Sequence, residues 1–211
     1  MDATWIEVAG LTIRAPVTAG TNLLLAGQCL LYYRSLRSSR APAATLWGAF
    51  FLLMSFATLA GVVKHGFRHQ LTENQLILVR WMSNLGSGVS TYFAQRATAR
   101  IHAGKRWGVA IERLVALQLL VFVSMNVVVG PEIMLVIANS ALGLIPVIVV
   151  EETAARPGHT SGVWIARGLS LSMLTGAVYV VGFSFGPWFN HIDVAHGLMG
   201  GSFYLILRGV R

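Results

Sequence analysis

The chain has 211 residues, of which 55% are hydrophobic and only 11% are charged, and its mean hydropathy is +0.65. Soluble domains carry about a quarter charged residues, so this composition excludes an ordinary soluble protein and indicates an integral membrane protein. The net charge of +8 comes from basic residues between apolar runs, a pattern typical of membrane topology rather than of a nucleic-acid surface. The single cysteine, Cys29, excludes an intrachain disulfide and a cysteine-based metal site.

Seven apolar runs approach or exceed the length of a membrane helix, which needs about 20 residues. The acidic N-terminus lacks the basic start of a signal peptide, so the first run is expected to be a retained helix. Residues 1–211 are therefore predicted to form one all-α domain, an integral membrane bundle of seven transmembrane helices. The predicted helices cover about 16–33, 43–66, 75–95, 107–129, 131–150, 161–184 and 191–207.

Basic residues are distributed unequally between alternate loops. By the positive-inside rule this predicts an N-terminus outside and a C-terminus in the cytoplasm, in the plasma (inner) membrane of a bacterium. The segments outside the helix interiors on the outer side hold only Arg14, Lys64 and Arg68. The predicted cytoplasmic side holds Arg34, Arg37, Arg40, Arg96, Arg100, Lys105, Arg106, Arg156, Arg208 and Arg211.

The third predicted helix is the most polar, which places it inside the bundle. It contains Arg80, and an unpaired charge within a membrane is costly. Two interpretations are open. Arg80 pairs with a carboxylate on the outer side, or its long side chain extends to the surface. The carboxylates within outer-side reach are Glu73, Glu132 and Asp193.

The last predicted helix opens with three ionisable residues, His191, Asp193 and His196. Asn190 is a good N-cap and Asp193 its reciprocal partner, so the carboxylate has a structural explanation as well as a chemical one. His196 lies about 7 Å deeper than His191 at 1.5 Å per residue, within an otherwise apolar helix. A lone histidine at that depth requires a partner or a function.

His65 lies one turn inside the end of helix 2, whereas His69 is expected at or beyond the membrane surface. The topology places His65, His191 and His196 at one depth, the outer ends of helices 2 and 7. Three imidazoles plus a water are typical of a catalytic zinc site. The sequence thus predicts zinc ligation by these histidines, with Asp193 as a catalytic base or as the group that orients a ligand imidazole.

This arrangement resembles the alkaline ceramidase and progestin/adiponectin-receptor superfamily. Those seven-helix membrane hydrolases hold zinc with one histidine of helix 2 and two of helix 7. The resemblance implies a zinc-dependent hydrolase that acts on a lipid amide or ester, with His65, His191 and His196 as the metal ligands. The chain departs from the family pattern in the HxxxxH spacing of the last pair and in Gly61, where the family has serine. It also departs in the side of the membrane predicted for the metal.

Three alternatives remain open at the level of sequence. His65 and His196 on facing helices are candidates for the axial ligands of haem in an electron carrier. A sensor or receptor would use the polar third helix to line a ligand-binding cavity. A transporter is disfavoured because no pair of broken helices is visible. In each case the expected partners are membrane lipids or a lipid-like molecule, and not nucleic acid.

Overall fold

A computed structural model describes residues 4–41, 43–154 and 161–211 of the chain, without the side chains of Lys105 and Arg106. Arg156, which the topology argument used, lies outside these ranges. The described residues form seven α-helices and a short hairpin. The helices are α1 (Pro16–Arg37), α2 (Ala44–Gly66), α3 (Glu73–His102), α4 (Lys105–Val129), α5 (Ile133–Ala154), α6 (Ser161–Val181) and α7 (His191–Val210).

The all-helical prediction is confirmed, and most helix boundaries agree with it to within a few residues. The largest difference is at the end of α3, which continues to His102 because no helix-breaking residue follows position 95. Four of the described helices, α2, α4, α5 and α6, are long and apolar enough to cross a membrane. The other three, α1, α3 and α7, are similar in length or longer but more polar.

Six of the helices form a closed ring, and α4 lies outside it. Around the ring, α1 packs on α2, α2 on α3, α3 on α5, α5 on α6, α6 on α7 and α7 on α1. Helix α4 packs mainly against α3 and α5, and many of its apolar side chains are exposed, with Val128 81% accessible. Consecutive helices run in opposite directions. One end of the bundle, here called the histidine end, therefore holds the last turn of α2 and the first turns of α3 and α7.

Small residues let α6 and α7 approach closely. A Cβ atom at Gly168 would lie 2.9 Å from the carbonyl oxygen of Ser202, and one at Gly209 would lie 2.5 Å from that of Ser161. Close backbone contact through glycine is a common way to gain van der Waals packing between helices in lipid, where the hydrophobic effect does not drive helix association. This pair closes one side of the ring.

A β-hairpin that the sequence analysis did not predict precedes α1. Strand β1 (Trp5–Val8) pairs with β2 (Leu11–Arg14) around a two-residue turn, Ala9-Gly10, in which both residues have positive φ. Such turns match the twist of the flanking strands. Gln70 donates a side-chain hydrogen bond of 2.8 Å to the carbonyl of Thr12, so the hairpin is held at the histidine end.

The end opposite the histidines contains a buried carboxylate. Glu151 of α5 is only 2% exposed. Its Oε1 accepts a 2.6 Å hydrogen bond from the Thr98 hydroxyl, and its Oε2 lies 3.3 Å from Nε2 of His102, both on α3. Both carboxylate oxygens are therefore bonded within the protein.

Candidate functional site: a basic vestibule above an inner cavity

The ring of helices encloses an inner cavity of about 230 Å³. All six ring helices contribute to its lining, and none of the described α4 residues does. One part of the lining is apolar and includes Phe50, Met54 and Phe203, which pack in the aromatic core between α2 and α7. Another part carries hydroxyl groups from α3, α5 and α6: Ser83, Ser87, Ser90, Thr91, Ser140, Ser172 and Thr175.

A second cavity of about 470 Å³ lies at the histidine end and is here called the vestibule. Its lining includes four basic side chains, here called the vestibule cations, and Glu132 is the carboxylate that lines it with them. The cations come from three parts of the chain, the end of β2, the end of α2 and the segment after it, and α3: they are Arg14, Lys64, Arg68 and Arg80.

The vestibule and the inner cavity adjoin each other. Both are lined by Lys64, His65, Ile133, Tyr179 and Ile192. The combined space thus changes from strongly basic at the histidine end to apolar and hydroxyl-lined within the ring. This polarity gradient matches a molecule with a polar head and an apolar tail.

The vestibule cations are not neutralised by any carboxylate of the described residues. Among residues 4–41, 43–154 and 161–211, none of Arg14, Lys64, Arg68 and Arg80 has a carboxylate oxygen within 4.0 Å. The expected pairing of Arg80 with Glu73, Glu132 or Asp193 is therefore not formed. Arg80 is half-buried and lines the vestibule instead.

The three predicted histidines surround the joined cavities in two different pairs. His65 and His191 line the vestibule, whereas His65 and His196 line the inner cavity. The His191 ring packs edge-on against Tyr179, with 5.3 Å between the ring centroids. His69 is exposed on the 3₁₀ turn after α2, as its position in the sequence indicated.

His196 has a structural partner that the sequence did not indicate. Its Nδ1 lies 2.8 Å from the Thr21 hydroxyl of α1. Two further hydrogen bonds connect the same pair of helices, from Asn190 Nδ2 to the Thr18 hydroxyl and from Gln28 Nε2 to the Gly200 carbonyl. The half-buried His196 is thus part of a polar seam between α1 and α7.

Asp193 forms the predicted helix cap. Its Oδ2 accepts a 2.9 Å hydrogen bond from the backbone N–H of Asn190, whose side chain in turn accepts from the N–H of Ile192. The carboxylate is fully buried, and its other oxygen, Oδ1, has no hydrogen-bond partner among the described residues. Asp193 lines neither cavity.

The described structure shows no metal-binding group at the predicted zinc site, so zinc ligation by His65, His191 and His196 stays a prediction. In the part of the chain that the structure describes, no three histidine, cysteine, aspartate or glutamate side chains are grouped so that they could hold a metal ion.

Sequence reasoning missed several residues that define the site. Arg14, Lys64 and Arg68 were used only as topology signals, yet they line the vestibule with Arg80. Asn84 is a further residue that the sequence did not single out. It is 5% exposed, lines the vestibule, and its Nδ2 has no hydrogen-bond partner among the described residues.

Gly61 is explained by its neighbour Asn22, a residue of the inner cavity. A side chain at position 61 would collide with the Asn22 amide, which donates a 2.9 Å hydrogen bond to the Thr18 carbonyl. The amide of Asn22 thus fills the space beside the position where the ceramidase-type pattern has serine.

Comparison with known proteins assigns the chain to a family but not to an activity. No curated protein and no solved structure matches it. A family profile does match residues 17–211, a range that includes all seven helices except the first residue of α1. The chain therefore belongs to the protein family described as a family of unknown function, DUF6962.

Proposed function

We propose that the protein is a seven-helix integral membrane protein that binds an amphipathic ligand. The ligand's tail occupies the inner cavity and its head group occupies the vestibule. One observation carries this proposal: a basic cavity and a largely apolar cavity share the lining residues Lys64, His65, Ile133, Tyr179 and Ile192. Ligand sites of this kind are concave, mostly apolar and provided with a few polar groups that fix orientation. The function is that of a receptor or sensor.

The membrane location is supported by the outer surface of the bundle. Four helices are apolar enough to span a bilayer, and α4 presents exposed Leu114, Val121 and Val128 away from the ring. Helices α1, α3 and α7 can be more polar because many of their polar side chains face the interior of the bundle. Only the surface of a helix that contacts lipid needs apolar side chains. In this proposal all seven helices cross the membrane, with the histidine end outside.

Cysteine labelling tests this topology. Ser38→Cys lies at the opposite end of α1 from the histidines, and His69→Cys lies at the histidine end. On intact cells, a membrane-impermeant maleimide should label His69→Cys and leave Ser38→Cys unlabelled until the cells are opened. The native Cys29 is fully buried, so it provides little background. If only Ser38→Cys is labelled on intact cells, the orientation is the opposite of the one proposed.

Blocking the inner cavity tests ligand binding. Ser140 lines the cavity, whereas Leu142, two residues along α5, is 70% exposed on the outside of the bundle. Binding of a radiolabelled C16 lipid is measured for the protein in phosphatidylcholine nanodiscs, and the level found with empty nanodiscs is subtracted. For a lipid that binds the wild type, Ser140→Phe should bind much less of it, and Leu142→Phe should bind it as the wild type does. The probes are hexadecyl phosphate, hexadecanol and hexadecyltrimethylammonium. Equal binding by both variants would exclude the inner cavity as the tail site.

The predicted zinc-dependent lipid hydrolase and the predicted haem carrier require different measurements. Metal analysis of the purified protein should find about one zinc per chain if His65, His191 and His196 ligate it, and a Soret band would report haem. His196→Ala should then abolish metal binding while His69→Ala leaves it unchanged. If the purified protein contains no zinc and shows no Soret band, the receptor or sensor function remains as the candidate.

A further inference from the structure

The vestibule concentrates positive charge where the protein supplies little to balance it. Arg14, Lys64, Arg68 and Arg80 line one cavity, together with a single lining carboxylate, Glu132. Like charges held near one another repel, and the repulsion is stronger near low-dielectric walls than in open water. Since no described carboxylate lies within 4.0 Å of these cations, the arrangement is unfavourable until an anion enters.

A buried donor points to the same kind of ligand. Asn84 follows Arg80 by one turn of α3, so the two side chains lie on one face of the helix. Asn84 is 95% buried, since 5% of it is exposed, and its Nδ2 donor is left without a partner among the described residues. Buried amide donors are nearly always hydrogen-bonded in folded proteins. An acceptor bound in the vestibule would satisfy this one.

The number and type of donors favour a phosphate over a carboxylate. A guanidinium binds phosphate oxygens in bidentate fashion, and a lysine ammonium adds a point charge. A phosphate monoester carries about 1.5 to 2 negative charges at pH 7 and has three strong acceptor oxygens, whereas a carboxylate carries one charge on two oxygens. Four cations with one carboxylate, plus the Asn84 amide, match the more highly charged group.

We infer that the vestibule binds the phosphate-monoester head group of a single-chain lipid, held by Lys64, Arg80 and Asn84. This inference rests on the proposed function, because it assigns the head group of the amphiphile whose tail occupies the inner cavity. Free phosphate presents the same chemistry, so the test separates the two sources.

The test uses equilibrium binding to the full chain in phosphatidylcholine nanodiscs, with empty nanodiscs subtracted. Hexadecyl phosphate should bind at least about tenfold more tightly than hexadecanol, because hexadecanol cannot form charge-assisted hydrogen bonds with the vestibule cations. Hexadecyltrimethylammonium should bind most weakly, because the vestibule cations repel its positive charge. Inorganic phosphate should compete with hexadecyl phosphate only at much higher concentration if the tail contributes to binding.

Variants identify the residues. Arg80→Gln and Asn84→Leu should each weaken hexadecyl phosphate binding by about tenfold or more and leave hexadecanol unchanged. Arg113→Gln, an exposed cation of α4 that lines neither cavity, is the matched control and should change nothing. Lys64→Gln removes the second cation proposed to hold the head group and should weaken hexadecyl phosphate binding in the same way, which keeps the test decisive if Arg80→Gln does not fold.

The outcomes separate the two proposals. If hexadecanol binds as tightly as hexadecyl phosphate and Arg80→Gln affects neither, the anionic head-group site is wrong while amphiphile binding stands. If no C16 probe binds but inorganic phosphate binds in an Arg80-dependent way, the anion site stands and amphiphile binding is wrong. If neither hexadecyl phosphate nor inorganic phosphate binds, the anion site is wrong.

Discussion

Two polar clusters at opposite ends of the bundle, one around Glu151 and one lining the vestibule, differ in whether the protein satisfies them. At the end that contains Glu151, the carboxylate is buried and both of its oxygens are bonded, to Thr98 and His102. At the histidine end, the vestibule cations have no carboxylate within ion-pairing distance in the described chain, and Asn84 Nδ2 has no partner there. A buried polar group that the protein itself satisfies is explained by the fold. One that the described residues leave unsatisfied, and that also lines a cavity as Asn84 does, is a candidate contact for a ligand.

This difference has a consequence for mutation. Removing a donor from a satisfied carboxylate leaves a buried charge short of a hydrogen bond, which costs stability. Removing a donor that has no partner costs the fold little, and its loss is detected in ligand binding instead. Stability and binding measurements on the same variants therefore distinguish the two ends.

The largest effect on stability is expected for Thr98→Val. Valine has nearly the same shape, so the main change is loss of the 2.6 Å hydrogen bond to Glu151 Oε1. Hydrogen bonds to charged groups contribute roughly 1.5–3 kcal/mol, so we expect the free energy of unfolding to fall by about 2 kcal/mol. Unfolding in mixed SDS micelles measures this change.

The matched control is Thr153→Val on α5. The Thr153 hydroxyl is exposed and donates to the Val149 carbonyl of its own helix, so the same substitution removes only a local bond. Its effect should stay within about 0.5 kcal/mol, the usual range for surface substitutions. Equal losses in Thr98→Val and Thr153→Val would show that the Glu151 cluster does not stabilise the fold more than a surface contact does.

A smaller effect is expected at Asp193, which combines features of both ends. One carboxylate oxygen caps α7, and the other is unsatisfied. Asp193→Ala removes the reciprocal cap bond and should cost about 1 kcal/mol. Asp193→Asn retains an acceptor for the Asn190 N–H and removes a buried charge, so its free energy of unfolding should be closer to that of the wild type.

Asp193→Asn also separates the two interpretations of the carboxylate, as a helix cap or as a catalytic group. If Asp193→Asn leaves stability and lipid binding unchanged, and any lipid amide or ester hydrolysis too, Asp193 serves only as a cap. If Asp193→Asn abolishes hydrolysis while stability is retained, the carboxylate is catalytic and the hydrolase prediction gains support.

The helices could be predicted because long apolar segments have a strong local signal. Long apolar runs separated by basic residues identify helices from composition alone. The hairpin before α1 was missed because its Ala9-Gly10 turn lacks the Asn-Gly or Asp-Gly signal, although the second strand, Leu11–Arg14, alternates in polarity. The position of α4 outside the ring also could not be predicted from the sequence, since the packing order of helices depends on contacts between distant residues.

The candidate site was predicted in part. Depth along each helix brought His65, His191 and His196 to one end of the bundle, and the structure has all three lining the joined cavities there. Depth does not fix the direction of a side chain, however, and Thr21 on α1, which bonds His196, is 175 residues away in sequence. The basic vestibule was missed because Arg14, Lys64 and Arg80 are separated in sequence and come together only when the ring closes.

The smallest effect on stability is expected for Asn84→Leu, the counterpart of Thr98→Val at the histidine end. Leucine has a similar shape and removes a buried amide donor that has no partner among the described residues. Desolvation of that amide opposes folding, so its removal should leave the free energy of unfolding within about 0.5 kcal/mol of the wild type or raise it. Unfolding in mixed SDS micelles, beside Thr98→Val, gives the comparison. A loss as large as that of Thr98→Val would mean that Asn84 is satisfied in the protein without ligand, and the contrast between the two ends would fail. A neutral change in stability, combined with weaker hexadecyl phosphate binding, is the pair of results expected if the donor serves a ligand rather than the fold.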